Sequence, residues 1–525
     1  MVPRPISLIV CLIGGYFLGS TLTWMLLLPA ARLMHLAAGP ILTIASVGSV
    51  LGIVAGFFLW RRPPARPRPS VVHGSARWST AGEVRAALGS AEGLIVGREN
   101  TKGGQLLRYA GPQHLITIAP TRSGKGVGAI IPNLLTADRS ILCVDPKGEN
   151  ARIAIRARER FGPVHVLDPF GVSRVSSGAF NPLDGLDEAS PDLSEDAALL
   201  ADALVYDPPG YGGDAHWNEE AKALIAGVIL YVVCHEPPWR RNLTTVRELL
   251  TGAPEQFDAM LSIMQTSTCA GGLVARAANR HLGKADREAA GVLSSAQRHT
   301  HFLDSRRMAA VLERSDFRFE DLKAGVCTVF LVLPPDRLAT HSRWLRLLIA
   351  HAIGALARAP GRPAKPVLLL LDEFAALGRL ESLEQAFGLM AGYGLQLWPI
   401  LQDLHQLRSL YGQRAGIFLS NAGLMHIFNV SDVETAGWVS KSIGATTVAY
   451  QTAGSSVSRG GPFSTQTSTS SSINNHLTRR DLLTPDEVMR LDANLEILLR
   501  QGAAPVAARK VRYFVDLEFK GLFYS

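Results

Sequence analysis

Hydrophobic and polar positions follow different rhythms along this chain, and each rhythm predicts a different element. From Ser7 to Leu28 and from Ile41 to Trp60 there is no charged residue. Each run is about the 20 residues a helix needs to cross the hydrocarbon core of a bilayer, so two spans, 7–28 and 41–60, are expected within an anchor segment 1–69. A cleaved leader competes for the first run. That run exceeds the roughly 7 to 15 apolar residues of a signal core, and a second span follows closely.

Further on the apolar runs shorten. "HLITIA" (114–119), "SILCVD" (140–145), "VHVLD" (164–168), "VCTVFLVL" (326–333), "PVLLLLDE" (366–373), "LQLWPIL" (395–401) and "LMHIFNV" (424–430) lack period-two alternation and are separated by helical or loop segments. That pattern predicts strands of a largely parallel sheet covered on both faces, an α/β core formed by 70–192 and 316–525. Between them, 193–315 turns to alanine and leucine at helical spacing, as in "EEAKALIAGVILYVV", and predicts an inserted all-α domain. Thr452 to Ser472 holds twelve serines and threonines with few apolar anchors and predicts a mobile loop.

Composition changes this picture in two places. The formal charge of +8 invites a nucleic-acid reading, but 1–70 carries six arginines and no acid, leaving 47 basic against 45 acidic residues in the rest. The excess belongs to the membrane end, and any nucleic-acid contact must be local. The connector between the spans holds one arginine, whereas Arg61, Arg62, Arg66 and Arg68 follow the second; the positive-inside bias places both termini and the C-terminal bulk in the cytoplasm. Trp24 and Trp60 suit the interfaces, and Pro63, Pro64, Pro67 and Pro69 make a stiff spacer. The five cysteines, Cys11, Cys143, Cys234, Cys269 and Cys327, form no C-x-x-C pair and read as buried thiols in a reduced compartment.

The chemistry concentrates in "APTRSGKG", Ala119 to Gly126. A strand, this turn and then "VGAIIPNLL" form the context in which backbone N–H groups and a helix N-terminus cradle phosphates. Pro120, Thr121, Arg122, Ser123, Gly124, Lys125 and Gly126 are the expected binding loop, with Lys125 reaching the β- and γ-phosphates. Ala119 in place of the usual glycine is tolerable if its φ need not be positive. Gly126 replaces the usual serine or threonine and has no hydroxyl for Mg²⁺. Either phosphate, water and a distant acid hold the metal, or Thr121 or Ser123 substitutes. "LLLLDEF", Leu368 to Phe374, supplies the second half: Asp372 to hold Mg²⁺ and Glu373 to polarise an attacking water. At a third strand end, spacing alone leaves Gln402 either as a γ-phosphate reporter or as a polar residue before a helix capped by Asp403.

The inserted segment carries Arg276, Arg280, Lys284, Arg287, Arg298, Arg306 and Arg307, interleaved with Asp286, Glu288 and Asp304. The interleaving reads as a solvated helix face, with substrate contact as the alternative.

"APTRSGKGVGAIIPNLL", "CVDPKGEN", "HVLDPFG", "HWNEEAKALI", "LLLDEFAALGRLESLEQAFGLMAGYGLQLWPILQDLHQL", "NAGLMHIFNVSDVETAGWVSKSIG" and "RRDLLTPDEVMRL" resemble, in order, segments of type IV secretion coupling proteins of the TraG-like conjugal-transfer branch, from roughly residue 70 to 520. In that branch alanine and glycine occur at the two unusual loop positions. The resemblance implies a RecA-like P-loop ATPase that uses ATP and Mg²⁺, sits in the inner membrane and assembles as a homo-hexameric ring. It would bring relaxase-bound single-stranded DNA, and in some cases effector proteins, to type IV secretion channel subunits. By the same resemblance Lys125 binds phosphate, Asp372 holds the metal, Glu373 is the catalytic acid, Gln402 senses the γ-phosphate and the helical insert helps recognise substrate. Arg379 is the first choice for an arginine finger acting on a neighbour, with Arg122 and Arg408 as alternatives. Three rivals remain: a septal double-strand DNA translocase, expected to carry more spans and a terminal DNA-reading domain; a membrane protease, for which "HEPPW" at His235 fails the H-E-x-x-H pattern; and a docking receptor that binds nucleotide without turnover.

Overall fold

The computed structural model describes residues 4–34, 38–61, 71–207, 215–459 and 467–523. The chain divides into two compact units, Met1–Val71 and Val72–Ser525. In the first, helices Arg4–Met34 and Ala38–Arg61 pack on each other along a ridge of glycines. A Cβ on Gly15 or Gly52 would collide with the other's carbonyl oxygen, one on Gly19 with that of Gly48, and one on Gly56 with that of Cys11. The pairing runs in opposite directions along the two helices, so this is an antiparallel hairpin closed by backbone-to-backbone approach. Ile9, Val10, Ile13, Phe17 and Leu18 on one helix and Val47, Val50, Leu51, Val54 and Phe58 on the other remain exposed.

Leu8–Leu26 is the one helical stretch among the described residues that is long and apolar enough to cross a membrane, with a mean hydropathy of 1.7. The second expected span is matched only by the shorter apolar segment Ser46–Phe58. The Trp60 side chain and the spacer prolines lie outside the described residues.

Among its described residues the second unit has thirteen strands: β1 (Leu94–Glu99), β2 (Leu106–Tyr109), β3 (His114–Ile118), β4 (Ile141–Asp145), β5 (Val164–Leu167), β6 (Thr328–Val332), β7 (Val367–Leu371), β8 (Leu395–Leu401), β9 (Ala422–Ile427), β10 (Ala445–Arg459), β11 (Thr467–Asp481), β12 (Leu495–Arg500) and β13 (Val506–Arg509). Eleven of them form one sheet in the order β2-β1-β13-β12-β9-β3-β8-β7-β4-β6-β5. From β9 to β5 every pairing is parallel, and all seven predicted strands fall there. Alternate residues of these strands enter different apolar clusters: Ile116, Leu142, Val144, Leu369 and Leu371 on one face, and Leu115, Cys143, Leu368, Leu370 and Trp398 on the other. Both faces are covered, which is why the sequence shows unbroken apolar runs.

Between β5 and β6 the described residues contain helices and no strand, from Leu193–Leu204 to Arg306–Leu312. Their apolar residues merge with helix Pro335–Arg358 and one face of the sheet into a single cluster. Three of the seven basic residues singled out here are held in ion pairs: Arg280 and Lys284 on Glu220 at 2.6 and 2.8 Å, and Arg298 on Asp207 at 2.6 Å.

One feature is added to the expected mostly parallel sheet, and two expectations are corrected. The antiparallel extension β2-β1-β13-β12 was not foreseen, because its short strands interleave Arg98, Glu99, Glu496 and Arg509 with apolar residues and β1 shifts register between Ile95 and Gly97. The described parts of the serine-rich stretch are strands and not loop: β10 and β11 pair without interruption from Ala445↔Asp481 to Arg459↔Thr467, and 460–466 lie outside the described residues. A ribbon with two polar faces has no apolar period to announce it, and threonine suits an extended backbone. Finally, Cys234 and Cys269 are not free thiols. The ends of two helices bring their Cα atoms to 6.4 Å and they are disulfide-bonded, a proximity that a separation of 35 residues does not disclose.

Non-reducing alkylation of the denatured chain should therefore modify three thiols, Cys11, Cys143 and Cys327, and all five after reduction. Five labels before reduction would refute the pairing.

Candidate nucleotide-binding site

The parallel order β3-β8-β7-β4 sets four strand ends side by side. Ala119–Gly126 leaves β3, Gln402 leaves β8, Asp372 and Glu373 leave β7, and Asp145 closes β4. Open α/β sheets bind ligands at this carboxyl edge, where the backbone turns away and polar groups are free.

The loop is tied down at several points. Ala119 N–H donates to Leu401 O at 2.7 Å, and Ala119 is not among the positive-φ residues, so the missing first glycine has no backbone consequence. Ser123 N–H turns back to Pro120 O at 3.1 Å. Gly124, at φ 95°, adopts a conformation that favours glycine, whereas Arg122 adopts φ 63° despite its side chain. The next residues, Gly126–Ile130, form a π-helical turn that leads into helix Ile131–Thr136. Fully buried Asn133 fixes this turn: its amide bonds Ile95 N–H, Ile95 O and Ala129 O at 2.7, 2.8 and 2.7 Å. Lys510, near the other end of the chain, donates to Ser123 O at 2.8 Å and to Asn429 Oδ1, with its ammonium 4.7 Å from the Phe428 ring centre. Burial pulls the Lys510 ammonium down to about 8. No sequence motif flagged Asn133 or Lys510; only the tertiary pairing reveals them.

The charged groups meet in front of this loop. Lys125 Nζ lies 2.8 Å from Asp372 Oδ1 and 3.7 Å from Glu373 Oε2. Gln402 Nε2 donates to Glu373 Oε1 at 3.2 Å, and Asp403 caps the following helix by accepting from Gln406 N–H at 2.8 Å. Asp403 is thus the cap of that helix, while the Gln402 side chain turns to Glu373 instead. Glu373 takes a left-handed backbone, φ 64° and ψ 50°, a conformation that costs a non-glycine residue about 1 kcal/mol or more. Asp145 is buried, and burial raises its carboxyl to about 7; N–H bonds from Ala151 and Lys147 oppose the rise and the nearby Asp372 charge adds to it. The sequence motifs named for chemistry did not include it.

A cavity of about 1100 Å³ opens over these groups, lined by Thr121, Arg122, Gly124, Lys125, Gly126, Asp145, Lys147, Asp372, Glu373 and Gln402 among others. Pro120 and Ser123 do not line it, and Ser123 Oγ is buried without a partner. Asp372 Oδ1 is buried and makes no hydrogen bond, its 2.8 Å approach to Lys125 being an ion-pair contact. Such an acceptor fits Mg²⁺. Among the described residues no three His, Cys, Asp or Glu side chains cluster as a metal cage. A Cβ on Gly126 would meet nothing within 4 Å, so a hydroxyl there is missing for no steric reason. The candidate arginines divide: Arg122 lines the cavity, whereas Arg379 does not, being about half exposed and 4.0 Å from Glu384, and Arg408 is ion-paired with Glu434.

The family model described as "Type IV secretory system Conjugative DNA transfer" matches residues 77–522. The chain belongs to this family. Among conjugative transfer relatives, the conjugal transfer protein TraG of Escherichia coli is 30% identical over 458 residues, covering 80% of this chain and 71% of TraG. The protein VirD4 of Agrobacterium fabrum is 30% identical over 477 residues, covering 86% of this chain and 67% of VirD4. The plasmid coupling protein TrwB, solved in complex with ADP and Mg²⁺, shares the fold at a TM-score of 0.61 with 18% identity, over 83% of this chain and 93% of TrwB. The expected α/β fold with a mostly parallel sheet is thus shared with a conjugative coupling protein.

The left-handed backbone at Glu373 has a measurable consequence. Glu373→Gly should resist denaturant better than Glu373→Ala by about 1 kcal/mol, because both lose the carboxylate and only glycine relieves the backbone. Equal stability would remove the strain from the account.

Proposed function

We propose that this chain is a membrane-anchored ATPase that couples relaxase-bound single-stranded DNA to a type IV secretion channel and drives its transfer. The observation that carries the reading is the convergence of Lys125, Asp372, Glu373 and Gln402 from three parallel strand ends onto one cavity. In this reading Lys125 exchanges its carboxylate partners for the β- and γ-phosphates of ATP, while the loop N–H groups from Thr121 to Gly126 surround them. Asp372 would hold Mg²⁺, which supplies positive charge to the phosphate oxygens. Glu373, held by Gln402, orients and polarises the attacking water, and Gln402 carries the state of the γ-phosphate to the surface beyond β8.

The exposed position of Arg379 outside its own cavity is compatible with service to a neighbouring subunit in a homo-hexameric ring. The helical layer between β5 and β6 contributes to substrate recognition. We infer that both N-terminal helices cross the inner membrane: their outward faces are apolar, the glycine ridge closes them on each other, and the arginines after the second favour a cytoplasmic ATPase.

Phosphate release by the full-length chain in detergent or nanodiscs, with Mg²⁺ and single-stranded DNA, tests the reading. Lys125→Ala should abolish release and nucleotide binding, whereas Glu373→Gln should bind ATP and turn over about 10²- to 10³-fold more slowly. Release by wild type no greater than by Lys125→Ala would leave a docking receptor that does not hydrolyse. Gly126→Ser, for which there is room, should lower the Mg²⁺ concentration needed for half-maximal turnover. An unchanged requirement would mean that the loop's missing hydroxyl is irrelevant to the metal.

A further inference from the structure

The structure separates the basic residues that the sequence left undivided. Arg280, Lys284 and Arg298 are neutralised by acids. Arg306 and Arg307 are exposed, and neither forms an ion pair with a described residue. They line a separate cleft of about 390 Å³ together with Arg314, which is shared with Asp316 at 3.2 Å. The acid in the cleft wall, Asp168, is already committed: it accepts from Gly171 N–H, Ser173 N–H and Ser173 Oγ at 2.8, 2.7 and 2.6 Å. Those neutral donors leave its charge in place, but three guanidinium groups against Asp168 and the Asp316 paired with Arg314 keep the face net positive.

Phe170 fixes this face. Its ring lies 5.9 Å from the Arg307 guanidinium and 5.6 Å from that of Arg337, and its carbonyl accepts from Arg307 at 3.3 Å. Held in this way, the Arg307 guanidinium is a pre-arranged fork for phosphate oxygens, and exposed Arg306 lines the cleft beside it. The remaining wall, with Pro169, Ala310 and Val311, offers almost nothing that could read a base edge. A grip of that kind takes a backbone and ignores sequence.

The cleft opens where β5 ends, on the same carboxyl edge of the sheet as the nucleotide cavity. Helix Pro335–Arg358 lines the nucleotide cavity and also touches Phe170, the chain neighbour of the cleft residue Pro169. Pro335 and Leu338 line the nucleotide cavity, while Arg337 and His341, on the same two turns, contact Phe170.

We propose that this cleft holds the phosphodiester backbone of the transferred single strand through Arg306 and Arg307, with the first turns of helix Pro335–Arg358 linking it to the nucleotide cavity. The proposal rests on the reading that the cargo is a DNA strand. Anisotropy of a labelled oligothymidine, titrated with the full-length chain in nanodiscs at several salt concentrations, tests it. Arg306→Glu/Arg307→Glu, and the milder Arg306→Gln/Arg307→Gln, should weaken binding about tenfold or more at 0.15 M salt. Both should also flatten the plot of log affinity against log salt by about 1.4, at about 0.7 for each lost phosphate contact. Affinity and slope equal to wild type in both variants would overturn the cleft alone, and weaker binding with an unchanged slope would overturn the phosphate contact. A wild type that does not hold the strand would overturn the parent reading with it. Polyglutamate held as tightly as the oligonucleotide, and lost in the same variants, would replace the strand by an acidic protein face.

Discussion

A sheet buried on both faces leaves polar chemistry one place to stand. Between β9 and β5 the strands are parallel and alternate residues enter two different apolar clusters, so a charged side chain along their length would lose its water on either side. Charge collects where the strands stop. Because they run the same way, every stop of one kind falls on one edge, and Lys125, Asp372, Glu373, Gln402 and Asp145 meet there from chain positions far apart. The position of the site follows from the burial of the sheet, and its chemistry from the few residues that follow each strand.

At that edge the charged groups hold one another. The Lys125 ammonium is met by two carboxylates, and Glu373 is further held by Gln402. Without such partners, three partly buried charges would repel or strand one another. On the proposed reading a triphosphate would compete for the lysine and bring negative charge toward both acids, which a divalent ion would offset. The left-handed turn at Glu373 keeps its carboxylate in front of the loop at the expense of local backbone stability.

What could be read from the sequence was whatever buries a continuous apolar run. All seven parallel strands and both halves of the site were visible, because five apolar residues followed by two acids, or a glycine-lysine turn after a strand, imprint themselves locally. Two features stayed hidden for a common reason. In β1, β2, β12 and β13 charged residues break up short apolar runs, and the ribbon β10–β11 has no such run, so their identity rests on pairing with distant partners. The disulfide and the Asn133 and Lys510 anchors are likewise meetings of residues remote in sequence. The family resemblance supplied order and expectation, but not Asp145's burial or the division among the basic residues of the helical layer.

The fastening of the phosphate loop by Lys510 also bears on how the molecule comes into being. Ser123 and Lys510 are 387 positions apart, and β12 and β13 join β9 and β1 only after nearly all of the chain exists. During synthesis the 119–126 loop emerges long before β12, β13 and Lys510, so it is locked only once they have been made. A chain lacking them would keep its parallel strands but leave this loop unfastened, so the order of the sheet and the fixing of its site are separate events in folding.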